Sequence, residues 1–175
     1  MRGQLLWLFT LGLASSLWAQ APAQVSGWVQ VRPDLACGGQ PSEAALRALA
    51  AAGYRTIIDN RLPGELRPFD EAQLVASLGL RYVSIPVGRP ESITPELVRA
   101  FARAIEESPK PIYMHCASGN RSAQLYYGYL RLKGHSPEQA KAEARRAGLR
   151  DTTALPYVER AVQYWLRQPK RGGTP

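Results

Sequence analysis

Short apolar runs suited to strands alternate with amphipathic runs that open on a helix cap and close on a glycine, and this order constrains the fold more than any other feature of the chain. Residues 28–31 read as a first strand, ended by the turn Cys37-Gly38-Gly39-Gln40-Pro41, after which Ser42 caps a helix to Ala52 with Gly53 as its stop. Residues 54–59 form a second strand, 70–78 a helix closed by Gly79, and 80–85 a third strand. Beyond a loop over 86–92, Thr94-Pro95-Glu96 supplies a cap, a proline at the first helical position and an acid in the first turn, so a helix runs to about Glu107. Residues 111–115 are the fourth strand. Three helices follow, over 122–133, from the capping box Ser136-Pro137-Glu138-Gln139 to about Ala147, and over 156–168. Strands alternating with helices imply right-handed crossovers. The expected fold is therefore α/β, a mainly parallel sheet of four to five strands flanked by helices, with helices at the C-terminus. In such a sheet the loops at the carboxyl ends of the strands build the ligand site.

The N-terminus stands apart. One basic residue, Arg2, precedes a 13-residue apolar run from Leu5 to Leu17, shorter than the ~18 residues that span a bilayer. With Ala21-Pro22-Ala23 behind it, the segment reads as a signal peptide over residues 1–23, leaving a single domain over 24–175. The expectation is an exported protein, periplasmic or secreted, with no integral membrane segment after cleavage. Two cysteines are too few for a disulfide-built scaffold, so the core must carry the stability. The formal charge is +8, and between Arg131 and Arg171 ten Lys and Arg stand against four acids. That basic face suits an anionic partner. No aromatic interleaving of the kind that stacks bases accompanies it, so nucleic acid is not expected.

The chemistry concentrates in His115-Cys116-Ala117-Ser118-Gly119-Asn120-Arg121-Ser122, between a buried strand and a helix start. A loop opening into a helix aims successive backbone N–H groups at one point, and the helix terminus adds partial positive charge. Ala117, Ser118, Gly119 and Asn120 would thus bind an anion through their amides, and Arg121 would add a planar two-pronged donor. The same field favours a thiolate at Cys116, a nucleophile. Gly119 permits a tight turn, Ser122 is placed to donate a hydrogen bond to the sulfur, and His115 to orient the loop. His135 is the only other histidine, so no metal set is available and no cofactor is expected.

From Trp28 to Leu132 the chain resembles the cysteine-dependent phosphatases of dual-specificity type, and among them the bacterial phosphatase-like domain also fused in beta-lactamase-hydrolase-like proteins. The carriers are Gly39-Gln40-Pro41-Ser42, Gly53-Tyr54-Arg55-Thr56-Ile57-Ile58-Asp59-Asn60-Arg61, Ile85-Pro86-Val87, Ile93-Thr94-Pro95-Glu96 and the loop from His115 to Ser122. The resemblance implies hydrolysis of anionic phosphoesters, of a protein or a small molecule: Cys116 attacks phosphorus, Arg121 and the loop amides bind the equatorial oxygens, and Ser122 eases release of the thiolate from a phosphocysteine.

Two departures from the family pattern matter. Four residues rather than five separate Cys116 from Arg121, which is similar to the sulfurtransferase (rhodanese) loop that carries a persulfide. The loop where the family usually places an aspartate acid has none, leaving Glu91 there, with Glu65 and Asp59 on the neighbouring rim. A sulfurtransferase and a catalytically silent anion-binding module therefore stay open as alternatives. Gln40, Arg61 and Cys37 belong to the same rim: Gln40 as support, Arg61 either lining the pocket or pairing with Glu65, and Cys37 either a small turn residue or a redox partner of Cys116.

Overall fold

The computed structural model describes residues 25–65 and 67–169; the leader read at residues 1–23 lies outside them. The elements are β1 (Val29–Arg32), β2 (Leu35–Gly38), α1 (Glu43–Ala51), β3 (Thr56–Asp59), α2 (Glu71–Ser77), β4 (Arg81–Ser84), α3 (Pro95–Glu107), β5 (Ile112–His115), α4 (Asn120–Leu132), α5 (Pro137–Arg146) and α6 (Leu155–Leu166), with a short 3₁₀ turn at Pro90–Ser92. They form one five-stranded sheet in the order β1-β2-β5-β3-β4, antiparallel between β1 and β2 and parallel elsewhere. The α/β fold and the strand count are those expected.

Burial on both faces explains the apolar strands. On one face Leu35, Cys37, Ile58, Ile112 and Met114 pack in a single cluster with apolar residues of α3, α4, α5 and α6. On the other, Ala36, Ile57 and Tyr113 pack with α1 and with Val75 of α2. The helix starts follow their caps: Ser42, Asp70, Thr94 and Ser136 each accept a backbone N–H from three residues on, and Ser136 completes the capping box with Gln139.

The structure corrects the sequence reading at two places that matter for the site. The first strand does not end in a turn at Cys37. Pro33 and Asp34 make the turn instead, and the chain returns as β2, so Cys37 and Gly38 are strand residues paired with Met114 and His115 of β5. Helix α4 begins at Asn120 rather than Ser122, which puts Arg121 and Ser122 in its first turn. In register, Gly38, His115 and Asp59 lie side by side at the carboxyl ends of β2, β5 and β3. The loop from Cys116 leaves the sheet at that rim. Among the described residues no helix is long and apolar enough to cross a membrane.

Candidate active site

Cys116 is buried at the base of the loop between β5 and α4, and its Sγ accepts the Gly119 N–H at 3.2 Å. That bond requires Gly119 to turn back on itself at φ 89°, a left-handed conformation that favours glycine. Space demands glycine as well, since a Cβ there would lie 3.0 Å from Gly38 O and 3.1 Å from Gly38 C. The loop carbonyls point outward. Ala117 O accepts the Gln40 N–H at 3.2 Å and Ser118 O accepts Arg150 Nη2 at 2.6 Å. Gln40 therefore supports the loop through its backbone. The Asn120 side chain holds the segment between α5 and α6, its Oδ1 accepting the Arg150 and Asp151 N–H groups at 2.8 and 3.0 Å.

Arg121 is gripped end-on by Glu65, Nη1 to Oε1 at 2.5 Å and Nη2 to Oε2 at 2.7 Å, while Nη1 also donates to Val87 O at 2.9 Å. Of five guanidinium hydrogens, three are engaged there, leaving Nε–H and one Nη2 hydrogen, the two that make a side-on fork for an oxyanion. The hydrogen bonds that Arg121 donates to Glu65, then the Cys116 sulfur among further causes, raise Arg121 against the opposing effect of burial, and the same ion pair holds Glu65 below the ordinary carboxylate range. Glu65 is thus an ionised carboxylate, with no proton to deliver.

Ser122 does not donate to the sulfur as expected: its single hydroxyl hydrogen goes to Asn60 Oδ1 at 2.7 Å, and Asn60 Nδ2 donates to Ile85 O at 2.9 Å. Arg61 neither lines the pocket nor pairs with Glu65. It is buried and bonded to Asp59 through Nε and Nη2, at 2.9 and 2.8 Å, and to Glu71 of α2 through Nη2. Burial works to raise Asp59, but Arg61, His115 and the Tyr82 hydroxyl together bring it down to about 2. Asp59 is therefore also no proton donor.

His115 closes this buried cluster. Its Nε2 lies 2.8 Å from Glu71 Oε1 and its Nδ1 3.4 Å from the Cys116 carbonyl, so the ring ties α2 to the first peptide of the loop. It stacks on Tyr113 at 5.6 Å, which stacks on Trp28 at 5.2 Å and donates its hydroxyl to Gly39 O at 2.5 Å. Donor atoms of Asp59, Glu71 and His115 lie within 4.8 Å of one another, but the Arg61 guanidinium already bridges the two carboxylates and supplies the positive charge a cation would bring.

Glu91 sits exposed in the turn Pro90–Ser92, on an open groove of about 760 Å³ lined also by Leu62, Gly88, Arg89 and Leu97; its Oε1 accepts from the Tyr157 hydroxyl at 3.5 Å. Cys37 is a free, buried thiol whose Sγ donates to Gly119 O at 3.7 Å, so the two cysteines contact the same glycine from opposite ends. Burial and the nearby Cys116 sulfur push the Cys37 thiol up, so it stays protonated. Tyr126, Tyr127 and Tyr129, three rings beside the loop in sequence, are buried in the core. Sequence reasoning missed Glu71, Asn60 and Arg150. Asn60 directly follows β3, whose register places it here, Glu71 opens α2 and arrives by the packing of that helix, and Arg150 carried only the signal of a basic residue near a glycine stop.

With this geometry in view, comparison with known proteins identifies relatives. The family model described as "DSP-PTPase phosphatase fused to NAD+ Kinase" matches residues 26–153. A beta-lactamase hydrolase-like protein of Agrobacterium fabrum is 28% identical over 167 residues, 83% of this chain; the match spans 38% of that relative's length. In fold, the chain is similar to PTPMT1 in complex with PI(5)P, with a TM-score of 0.66 at 16% identity over 79% of this chain and 96% of that one. It is likewise similar to Pseudomonas aeruginosa TpbA in complex with phosphotyrosine, with a TM-score of 0.59 at 17% identity over 82% and 91%. An α/β domain whose carboxyl rim gathers a cysteine, a helix start and an arginine thus belongs, by the match over most of its length, to the dual-specificity-type phosphatase family that the model describes.

Proposed function

We propose that this chain is a phosphoric monoester hydrolase working through a phosphocysteine on Cys116. One observation carries the reading: the sulfur that accepts the Gly119 N–H also interacts with Arg121, whose guanidinium Glu65 grips by its outer end only. An oxyanion held by the side-on fork of that guanidinium and the first turn of α4 places phosphorus over the sulfur. The thiolate attacks phosphorus as the bond to the ester oxygen breaks, and the departing oxygen takes a proton. Water then attacks the phosphocysteine, the S–P bond breaks, sulfur leaves as thiolate and inorganic phosphate is released. Ser122 would turn from Asn60 to the sulfur in that second step.

Asp59 and Glu65 are held ionised by their arginines, so Glu91 is the carboxyl group assigned to the leaving oxygen. Its contact with Tyr157 and its exposure leave it loosely placed, which favours aryl esters, whose leaving groups need little help. The substrate class is a phosphorylated alcohol or phenol seated in the groove between Leu62 and Leu97. The solved relatives, one with a phosphoinositide and one with phosphotyrosine, are consistent with such a class. Turnover of p-nitrophenyl phosphate by the reduced chain, lost in Cys116→Ser and in Arg121→Ala, supports the proposal. A Cys116→Ser variant that still turned over would refute it.

A further inference from the structure

Arg150 lies 32 residues beyond Ser118, in the segment joining α5 to α6, and its side chain is exposed. Nothing in its sequence neighbourhood ties it to the loop chemistry. Yet its Nη2 donates to Ser118 O at 2.6 Å, and its own backbone N–H is fixed to Asn120 Oδ1 at 2.8 Å, with the Asp151 N–H on the same oxygen at 3.0 Å. Two residues of the anion loop are thereby held by one turn of distant chain. That turn is itself braced, because Asp151 accepts both the Thr153 N–H and the Thr153 hydroxyl, at 2.8 and 3.0 Å.

The consequence follows from peptide planarity. In a trans peptide the C=O of one residue and the N–H of the next point in opposite directions. Pulling Ser118 O outward therefore aims the Gly119 N–H inward, where it meets Cys116 Sγ at 3.2 Å. A glycine at φ 89° leaves that peptide free to rotate at little steric cost unless something holds it, and an inward carbonyl would repel both a thiolate and a phosphate. We propose that Arg150 is a positioning residue for the anion loop: its guanidinium locks the Ser118–Gly119 peptide with the N–H facing the sulfur.

The role extends the phosphatase reading and rests on it for turnover, but loop geometry and anion binding can be read without turnover. The full chain is compared as wild type, Arg150→Ala, Arg150→Lys and Arg146→Ala, the last a control for the loss of one exposed positive charge on α5. Tungstate binding by calorimetry and hydrogen exchange at the Gly119 amide are measured on each, with p-nitrophenyl phosphate kinetics beside them. Arg150→Ala should bind tungstate about tenfold more weakly, the scale of one charge-assisted hydrogen bond. Its Gly119 amide should exchange faster while its melting temperature stays near wild type. Arg150→Lys, which can still reach the carbonyl, should recover most of the affinity, and Arg146→Ala should match wild type. Unchanged tungstate affinity or unchanged Gly119 exchange in Arg150→Ala would overturn the proposal. A wild type that binds tungstate without hydrolysing the ester would instead refute the phosphatase reading and leave the test of Arg150 intact.

Discussion

Glu65 grips Arg121 by the outer end of its guanidinium, at 2.5 and 2.7 Å, and leaves the inner edge beside Cys116 unoccupied by carboxylate. The ion pair thus orients the arginine toward the sulfur without filling the place of a phosphate. Replacing Glu65 by Gln sets an amide N–H against one guanidinium N–H and frees the side chain to swing. Because the pair is partly exposed, its stability effect should stay below about 1 kcal/mol. The expected result is a fall of roughly tenfold in kcat/KM for p-nitrophenyl phosphate, the worth of one charge-assisted hydrogen bond. An unchanged or raised value would mean that Glu65 competes with phosphate for Arg121.

Gly119→Ala tests the loop's backbone. The added methyl would lie 3.0 Å from Gly38 O, and the left-handed conformation costs an alanine about 1–2 kcal/mol more than a glycine. Both push the residue out of the turn that delivers its N–H to Cys116. Hydrolysis and tungstate binding should fall together, with a modest loss of melting temperature. A variant with wild-type tungstate affinity would show that the amide does not contribute to the cradle.

Arg61→Met tests the buried cluster. It leaves Asp59 and Glu71 buried without their common guanidinium, and breaking a buried pair costs about 3–5 kcal/mol. Urea denaturation should show that loss, and the further change Asp59→Asn should recover part of it by removing one uncompensated charge. Wild-type stability in Arg61→Met alone would contradict the account of Arg61 as a structural ion and return it to the pocket.

Much of this architecture was legible from local signals. Caps such as Ser42, Thr94 and the Ser136 box act within three residues, so the helices could be read from sequence alone. The loop from Cys116 to Arg121 was legible for the same reason, since its residue types and its strand-to-helix setting are contiguous. Strand β2 was not, because four residues ending in Cys37-Gly38 offer no alternation and the two-residue turn at Pro33-Asp34 gives little signal beside the glycine-rich stretch that follows. Pairings across long separations were hidden too: Arg121 with Glu65, His115 with Glu71 and Ser118 with Arg150 depend on strand register and helix packing. Arg61 shows the cost of reading such residues by type, since a rim arginine in sequence becomes a buried counter-ion once α2 brings Glu71 to it.

The acid limb of stability follows from two carboxylates. Asp59 moves from its ordinary 3.8 to about 2, where its hydrogen bonds from Arg61 outweigh burial, and Glu159 moves from 4.5 to about 2 chiefly through its hydrogen bond from Arg131. Both folded values lie below the unfolded ones, so their contribution is complete above about pH 4.5 and is lost as pH falls toward 2. Urea midpoints should be flat from pH 7 to 5 and drop steeply below. Glu159→Gln should be less stable at neutral pH and show a shallower acid drop; an unaltered slope would contradict the assignment.

Mass spectrometry of the acid-quenched protein after mixing with p-nitrophenyl phosphate reads the covalent step on Cys116 itself. A peptide containing Cys116 should be heavier by one HPO₃, a species absent in Cys116→Ser and accumulating in Ser122→Ala, where thiolate release is slowed. Release of p-nitrophenol with no phosphate on Cys116, or a phosphate found on another residue, would contradict that step.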